Sequence, residues 1–412
     1  MVSAGFSSLR FFSVVAVCLW ARRPARGLLL PAGARARGHR RPLAARGVAG
    51  GGMPSAEEGS GDGVEWWRGT SPSTGAPYQL AYRHVAPAAD LSGGSCGGSS
   101  NNNNGGETDP HRREHTRQRP TILFCNGFRS EMSGGTKVLA LEAHCVARGW
   151  GFCAFDYRGH GLSNERGAVA EQQQDEDDDG GPVLTDWISD AAAVLEGVVL
   201  PRAGSHPSVV LVGSSMGAWI AVHLAMRYHN GAKSGGNSDH ERKNKTKRKR
   251  ESKPSDGPPP PPVVSGILGI ASAPDVFSDL WDSASQEQRR EWRAAGMARL
   301  ASSHAPGGGY AVPLALIEDA REHWDLLGEH GSGKGLAVSC PVGLLHGKRD
   351  REVPWTRSLA LAEALEQGNG SGSGSGSVDL RWIEDGDHRL SRPGDVRAIL
   401  DALDALVAEA CG

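Results

Sequence analysis

Apolar residues recur along the chain in two rhythms. Val64–Arg68 and Tyr78–Val85 have the shape of short antiparallel edge strands. Thr121–Cys125, Phe152–Tyr157, Val209–Val212, Val263–Ile270, Val342–Leu345 and Val378–Ile383 are compact apolar runs that predict buried strands. Between these runs the spacing turns helical, at 136–148, 184–199, 216–228, 356–366 and 395–408, with Thr185 and Asp186 available to cap the second of these. Strands alternating with helices predict an α/β fold, a mostly parallel sheet covered by helices on both faces. The stretch from Pro274 to Cys340, which holds Trp281, Trp292 and Trp324, is expected to add two or three helices as a small cap.

The polar segments fall between these elements. Residues 1–56 hold nine Arg, no Lys and no acid, and four further stretches (92–118, 171–182, 229–262 and 368–377) are polar or glycine-rich. Setting these aside leaves roughly 270 of the 412 residues, enough for one domain with a full core spanning 62–411. Loop length is tolerated because closure entropy grows only logarithmically. The basic run Arg242–Lys253 and the acidic run Asp175–Asp179 are therefore read as solvated inserts, ahead of a nucleic-acid or partner tail. A net charge of −2 gives no bulk attraction to nucleic acid or anionic membrane. Seven scattered Cys, with no Cys-x-x-Cys or Cys/His cluster, suggest neither a disulfide framework nor a metal site and fit a reducing compartment. The Arg-rich, acid-free N-terminus reads as a targeting segment. A mitochondrial presequence comes first, with plastid or secretory entry as the alternative because Phe11–Ala21 is apolar, and an uncleaved tail as the third reading. Phe11–Ala21 is too short to span a bilayer, and no later run is long and apolar enough to do so.

Chemistry enters at residues 210–219, VLVGSSMGAW. Gly213, Ser214, Ser215, Met216 and Gly217 form G-x-S-x-G between a β-branched strand and a helix, the context a nucleophile elbow needs. The turn is tight enough to demand glycines on either side, and it lifts the serine hydroxyl above the sheet. A serine at neutral pH needs an oriented base. In this kind of site the partners follow in the order Ser, Asp/Glu, His. The loop after Val342–Leu345 supplies Asp350, with Glu352 as rival; the loop after Val378–Ile383 supplies His388. His346, His323 and His330 are assigned to packing or surface. For the oxyanion, donors already aimed at the developing charge are required. The expected donors are the backbone amides of Met216 and of Phe128, the latter following Asn126-Gly127. Asp156 and His160, in FDYRGHGLS (155–163), are expected to hold a loop at the entrance.

With FDYRGHGLS, GSSMG, LLHGKRD-x-x-VPW and GDH in this order, the chain resembles the α/β-hydrolase superfamily over nearly all its folded length. The loop NGFRSEMSGGTK (126–137), Trp219 after the elbow, and Trp355 in DREVPW are similar to the mitochondrial palmitoyl-protein thioesterases within it. Asn126 stands where many members carry His. The resemblance implies an α/β-hydrolase fold, Ser215 as nucleophile, Asp350 as orienting acid and His388 as base. It also implies removal of acyl chains from protein cysteines and hydrolysis of acyl-glucuronide esters.

The expectation is thus a serine hydrolase working through an acyl-enzyme, with apolar cap side chains forming an acyl pocket. Its substrate would be an acylated protein or a small acyl ester. No metal or organic cofactor is called for, since nucleophile, base and oxyanion donors are all protein groups. A serine peptidase is the enzymatic rival, although nothing suggests a propeller or a peptide-amine anchor. A non-catalytic binding protein of the same fold is the rival from another class, and such proteins usually lose a triad member.

Overall fold

The computed structural model describes residues 63–71, 75–88, 119–165, 181–203, 207–231, 264–303, 305–328, 336–369 and 376–411. The targeting segment 1–56, the insert 92–118, the two charged runs, His330 and most of the other three inserts lie outside the described residues.

Ten strands and ten helices follow in the order β1 (Glu65–Thr70), β2 (Pro77–Val85), β3 (Thr121–Cys125), α1 (Thr136–Arg148), β4 (Gly151–Phe155), α2 (Gly161–Glu165), α3 (Leu184–Val194), α4 (Leu200–Arg202), β5 (Val209–Ser214), α5 (Met216–Gly231), β6 (Val264–Ile270), α6 (Val276–Asp282), α7 (Gln286–Ala295), β7 (Met297–Ala301), β8 (Gly309–Pro313), α8 (Leu314–His323), β9 (Val342–Gly347), α9 (Thr356–Asn369), β10 (Val378–Ile383) and α10 (Pro393–Cys411). Eight strands form one sheet in the order β1-β2-β4-β3-β5-β6-β9-β10. β1, β2 and β4 pair antiparallel, and every pairing from β4 through to β10 is parallel.

The parallel strands are apolar in both directions because both faces are covered. On β5, Val209 and Leu211 face one core and Val210 and Val212 the other, all four fully buried. The first core takes its helix side from α3, α5, α8 and α9, the second from α1 (Val138, Leu141, Cys145) and α10 (Ile399, Leu403, Leu406). Such runs bury roughly 1.5–3 kcal/mol per large side chain.

Two local departures from the pattern have physical causes. The expected helix over 184–199 keeps α-geometry only to Val194; Leu195–Val199 is a π-helical stretch that continues into α4. Leu195, Val198 and Val199 are the buried residues of this stretch, a spacing that an α-turn would also give, so periodicity does not reveal it. The cap contains three helices, as expected, and also an antiparallel hairpin, β7–β8. Of its strand residues only Ala298 and Val312 are buried, which leaves no clear alternation to read. Its one sequence signal is the turn Pro306-Gly307-Gly308, in which both glycines take positive φ, 74° and 78°.

β3 connects through α1 to β4 on one side, while β5 lies on the other side of β3. The chain therefore changes direction beside β3, and the carboxyl ends of β3 and β5 leave a crevice between their outgoing loops. That crevice is where the chemistry-bearing residues collect.

Candidate active site

The turn from β5 into α5 is held open by strain. Ser215 sits at φ 55°, a left-handed conformation uncommon for a residue with a side chain. Its amide donates to Ile270 O at 2.8 Å, and its carbonyl accepts from Ala218 N at 3.0 Å and Ala273 N at 3.2 Å. Gly213 and Gly217 are required by contact. A Cβ on Gly217 would stand 2.0 Å from Cys125 O, and one on Gly213 would stand 2.3 Å from Gly217 O. The end of β3 and the first turn of α5 are too close for even a methyl group. Of the five described non-glycine residues with positive φ, Arg129, Ser215 and Ala271 directly follow, or lie near, the carboxyl ends of β3, β5 and β6, and Leu390 follows β10. Backbone strain of this kind concentrates where loops are over-determined by their surroundings.

The three side chains expected to act together are adjacent. His388 Nε2 lies 3.1 Å from Ser215 Oγ, and His388 Nδ1 lies 2.7 Å from Asp350 Oδ2. The loops that carry Asp350 and His388 are joined by main-chain bonds, Lys348 N to Ile383 O and Arg349 N to Gly386 O, each 2.9 Å. The other Asp350 oxygen accepts from Glu352 N and Val353 N, both at 2.9 Å. Burial pushes the Asp350 carboxyl up, but hydrogen bonds from His346 and His388, with the backbone donors, outweigh it and hold the group well below the usual carboxylate range.

Glu352, the rival acid, points elsewhere. Its carboxylate accepts from Ser302 Oγ, Ser303 N and Ser303 Oγ, tying the acid loop to the residues that follow β7 in the cap. His346 is no generic packing residue. It is fully buried, and its Nε2 stands 3.0 Å from Asp350 Oδ2. The His-Gly-x-x-Asp spacing across a strand end was the available signal for that contact.

The loop after β3 is anchored on both sides. Asn126 Nδ2 donates to Phe155 O at 2.9 Å, and a Cβ on Gly127 would lie 3.3 Å from Ser215 Cβ, so the residue preceding Phe128 lies against Ser215. Met216 opens α5, where the first amides of a helix have no partner within it. Asp156 accepts from Met132 N at 2.7 Å and Leu162 N at 3.0 Å, fastening the β3–α1 loop to the β4–α2 loop; burial pushes its pKa up to about 6 against those two donors. His160 packs edge-on to Phe128, Tyr157 and Trp187, and burial lowers its pKa to about 4. Lys137 Nζ donates to Arg389 O, bridging α1 to the histidine loop.

The cap closes over this region through aromatic contacts. The Phe128 ring meets Phe277 of α6 at 5.4 Å and Tyr310 of β8 at 5.8 Å, both edge-on, and Trp187 of α3 at 5.9 Å. Trp219 Nε1 and His223 Nε2, both on α5, donate to the same Trp324 carbonyl at 2.9 Å, tying α5 to the end of α8. Among the described residues no three His, Cys, Asp or Glu side chains are grouped so as to hold a metal ion. No helix among the described residues is long and apolar enough to cross a membrane.

A mostly parallel eight-stranded sheet with a strained serine turn after β5 defines a hydrolase of the α/β type. The chain belongs to the alpha/beta hydrolase family, whose model matches residues 122–399. It is 28% identical over 290 residues to the mitochondrial palmitoyl-protein thioesterase ABHD10 of Rattus norvegicus, covering 70% of this chain and 76% of that protein. The Homo sapiens protein of the same name is 25% identical over 288 residues, covering 70% and 73%. Among solved structures, a putative hydrolase from Agrobacterium vitis S4 matches with TM-score 0.56 and 26% identity over 84% of this chain and 99% of its own. The mouse alpha/beta hydrolase domain-containing protein 10 matches with TM-score 0.54 and 24% identity over 83% and 98%, a likeness of fold.

Proposed function

We propose that this hydrolase cleaves acyl thioesters or esters through an acyl-enzyme, with Ser215 as nucleophile, His388 as general base and Asp350 as the acid that orients it. The observation that carries the reading is the continuous line Ser215 Oγ, His388 Nε2, His388 Nδ1, Asp350 Oδ2, with links of 3.1 and 2.7 Å. Asp350 accepts a hydrogen bond from Nδ1–H, which leaves Nε2 bare and facing the hydroxyl.

Chemistry follows from that tautomer. Ser215 Oγ attacks the acyl carbon while its proton passes to His388 Nε2. The tetrahedral oxyanion faces the Met216 and Phe128 amides, donors fixed by the elbow and by the Asn126 anchor. Losing one such donor would raise the barrier by about 3 kcal/mol. Collapse expels the thiolate or alkoxide, which takes the proton from His388. Water then repeats the sequence on the acyl-enzyme and releases the carboxylic acid.

Two observations favour a long apolar acyl group. Phe128, Phe277, Tyr310 and Trp187 put an aromatic wall beside the residue whose amide serves the oxyanion. Relatives with 25–28% identity are named palmitoyl-protein thioesterases. Acyl-protein thioesterase activity is therefore the leading reading, and general carboxylesterase or acyl-glucuronide esterase activity the second. A mitochondrial location is part of the proposal, from the relatives' names and the Arg-rich, acid-free N-terminal sequence.

Labelling with a fluorophosphonate, followed by peptide mapping, tests the nucleophile. The adduct is expected on the peptide containing Ser215. Modification at another serine, or none, rejects the assignment. Competition between long-chain thioesters and short esters then ranks the substrate classes.

A further inference from the structure

Asp350 is shared between two histidines, and only one of them touches the nucleophile. Its Oδ2 accepts from His388 Nδ1 at 2.7 Å and stands 3.0 Å from Nε2 of His346. His346 lies near the end of β9, fully buried, with the same Nε2 also 3.1 Å from Val353 O. Its other nitrogen, Nδ1, is 2.7 Å from the Oγ of Ser358, itself fully buried in the first turn of α9.

These neighbours decide where the proton sits. A carboxylate oxygen and a carbonyl oxygen can only accept, so an unprotonated Nε2 would set a lone pair against two others in a site that excludes water. Nε2 therefore carries hydrogen. In the neutral ring Nδ1 is then bare, and the group facing it is a hydroxyl that can donate. The two acceptors at Nε2 fix the tautomer, and Ser358 completes it by donating its hydroxyl hydrogen to Nδ1. The result is a buried chain running from Ser358 through His346 to Asp350, where it meets the line that ends at Ser215.

We infer that His346, its Nδ1 satisfied by Ser358, is a positioning residue that holds the Asp350 carboxylate in plane and ionised for His388. This rests on the triad proposed above. Oδ1 is occupied by two backbone amides, so His346 is the one side chain besides His388 that Asp350 is bonded to among the described residues. Removing its donor would leave Oδ2 to turn with His388 alone. That cost falls on the step in which His388 becomes charged, not on substrate binding.

The test uses the full chain with a long-chain thioester substrate and three variants. His346→Leu keeps bulk and removes both ring nitrogens. His346→Gln places an amide N–H where Nε2 stands, restoring a donor to Asp350. Ser358→Ala removes the hydroxyl that satisfies Nδ1 with little change in volume. His346→Leu is expected to lower kcat by roughly 10–100-fold at unchanged KM, the scale of one hydrogen bond to a charged group. His346→Gln should recover most of that loss. Ser358→Ala should lower kcat by roughly 3–10-fold and weaken a downfield, slowly exchanging imidazole N–H proton signal that is also absent from His346→Gln. Full kcat in both His346→Leu and Ser358→Ala would overturn the inference. So would a His346→Gln enzyme as impaired as His346→Leu, which would mark a packing role, or 15N shifts placing the His346 proton on Nδ1. If His346→Leu does not fold, Ser358→Ala and the proton spectrum still decide. A Ser215→Ala control separates the two levels: retained turnover there rejects the triad, whereas lost turnover there with full kcat in the His346 and Ser358 variants rejects only the role of His346.

Discussion

The imidazole of His388 lies 3.1 Å from the hydroxyl of Ser215 across 173 residues of chain. The two side chains leave different strands, β10 and β5, with β6 and β9 between them in the sheet. Ser215→Ala removes the proposed attacking atom and is expected to lower kcat by roughly 10⁵–10⁶-fold, the scale for loss of a nucleophile that works as part of a unit. Steady-state turnover of an acyl thioester, with circular dichroism to confirm folding, measures it. Near-native turnover would reject the assignment.

Asp350 and Glu352 are two residues apart and separate cleanly. Asp350→Asn keeps the shape but presents an amide to Nδ1, which favours the wrong histidine tautomer. A loss on the order of 10⁴-fold in kcat is expected. Glu352→Gln keeps an oxygen to accept from Ser302 and Ser303, removes only the charge and should change kcat by less than about tenfold. Comparable losses in both variants would contradict this division of roles.

Gly217 tests the elbow sterically. A methyl group there would press into Cys125 O at 2.0 Å, against backbone that cannot yield without moving β3. Gly217→Ala should cost roughly 2–4 kcal/mol of stability and most of the activity, within the range for strain imposed on a special backbone site. Denaturant unfolding checks the first and turnover the second. A variant of native stability would show that the turn has room.

Each buried histidine should weaken the fold on mild acidification. Burial lowers the pKa of His223, and of His160, to about 4, below the unfolded value of about 6.5. Between those values the unfolded chain binds more protons, so each ring's contribution to stability is lost as pH falls from 6.5 toward 4. At pH 5 the loss is on the order of 2 kcal/mol for each ring. Buried carboxylates pull the other way, since burial raises Asp156 to about 6 and Asp190 and Asp275 to about 7, so the rings are read by difference. Urea unfolding of the wild-type chain and of His223→Gln at pH 7.5 and 5 isolates one ring: acidification should cost the variant about 2 kcal/mol less. Equal pH dependence in both would mean that the His223 ring is charged when folded.

Much of this protein is written in short stretches of its chain. Thr121–Cys125 and Val209–Val212 are apolar on both faces, and that alone implies a sheet covered on both sides. Gly213 to Gly217 declare a sharp turn around a serine because adjacent residues control backbone sterics. Asp350 and His388 could be named from their order and from the strands before them. The hairpin β7–β8 could not, because a cap strand that buries one residue carries almost no pattern. Nor could the turn of Glu352 toward Ser302 and Ser303, or the packing of Phe128 between Phe277 and Tyr310. Local propensity and periodicity depend on neighbours within a few residues, so the sequence by itself determined the elements and the candidate groups. Which groups touch depends on strand order, on register and on which helices cover each face. Those are settled only when the two cores bury their apolar surface together, and there the tertiary structure decided which histidine faces the serine and which one stands behind the acid.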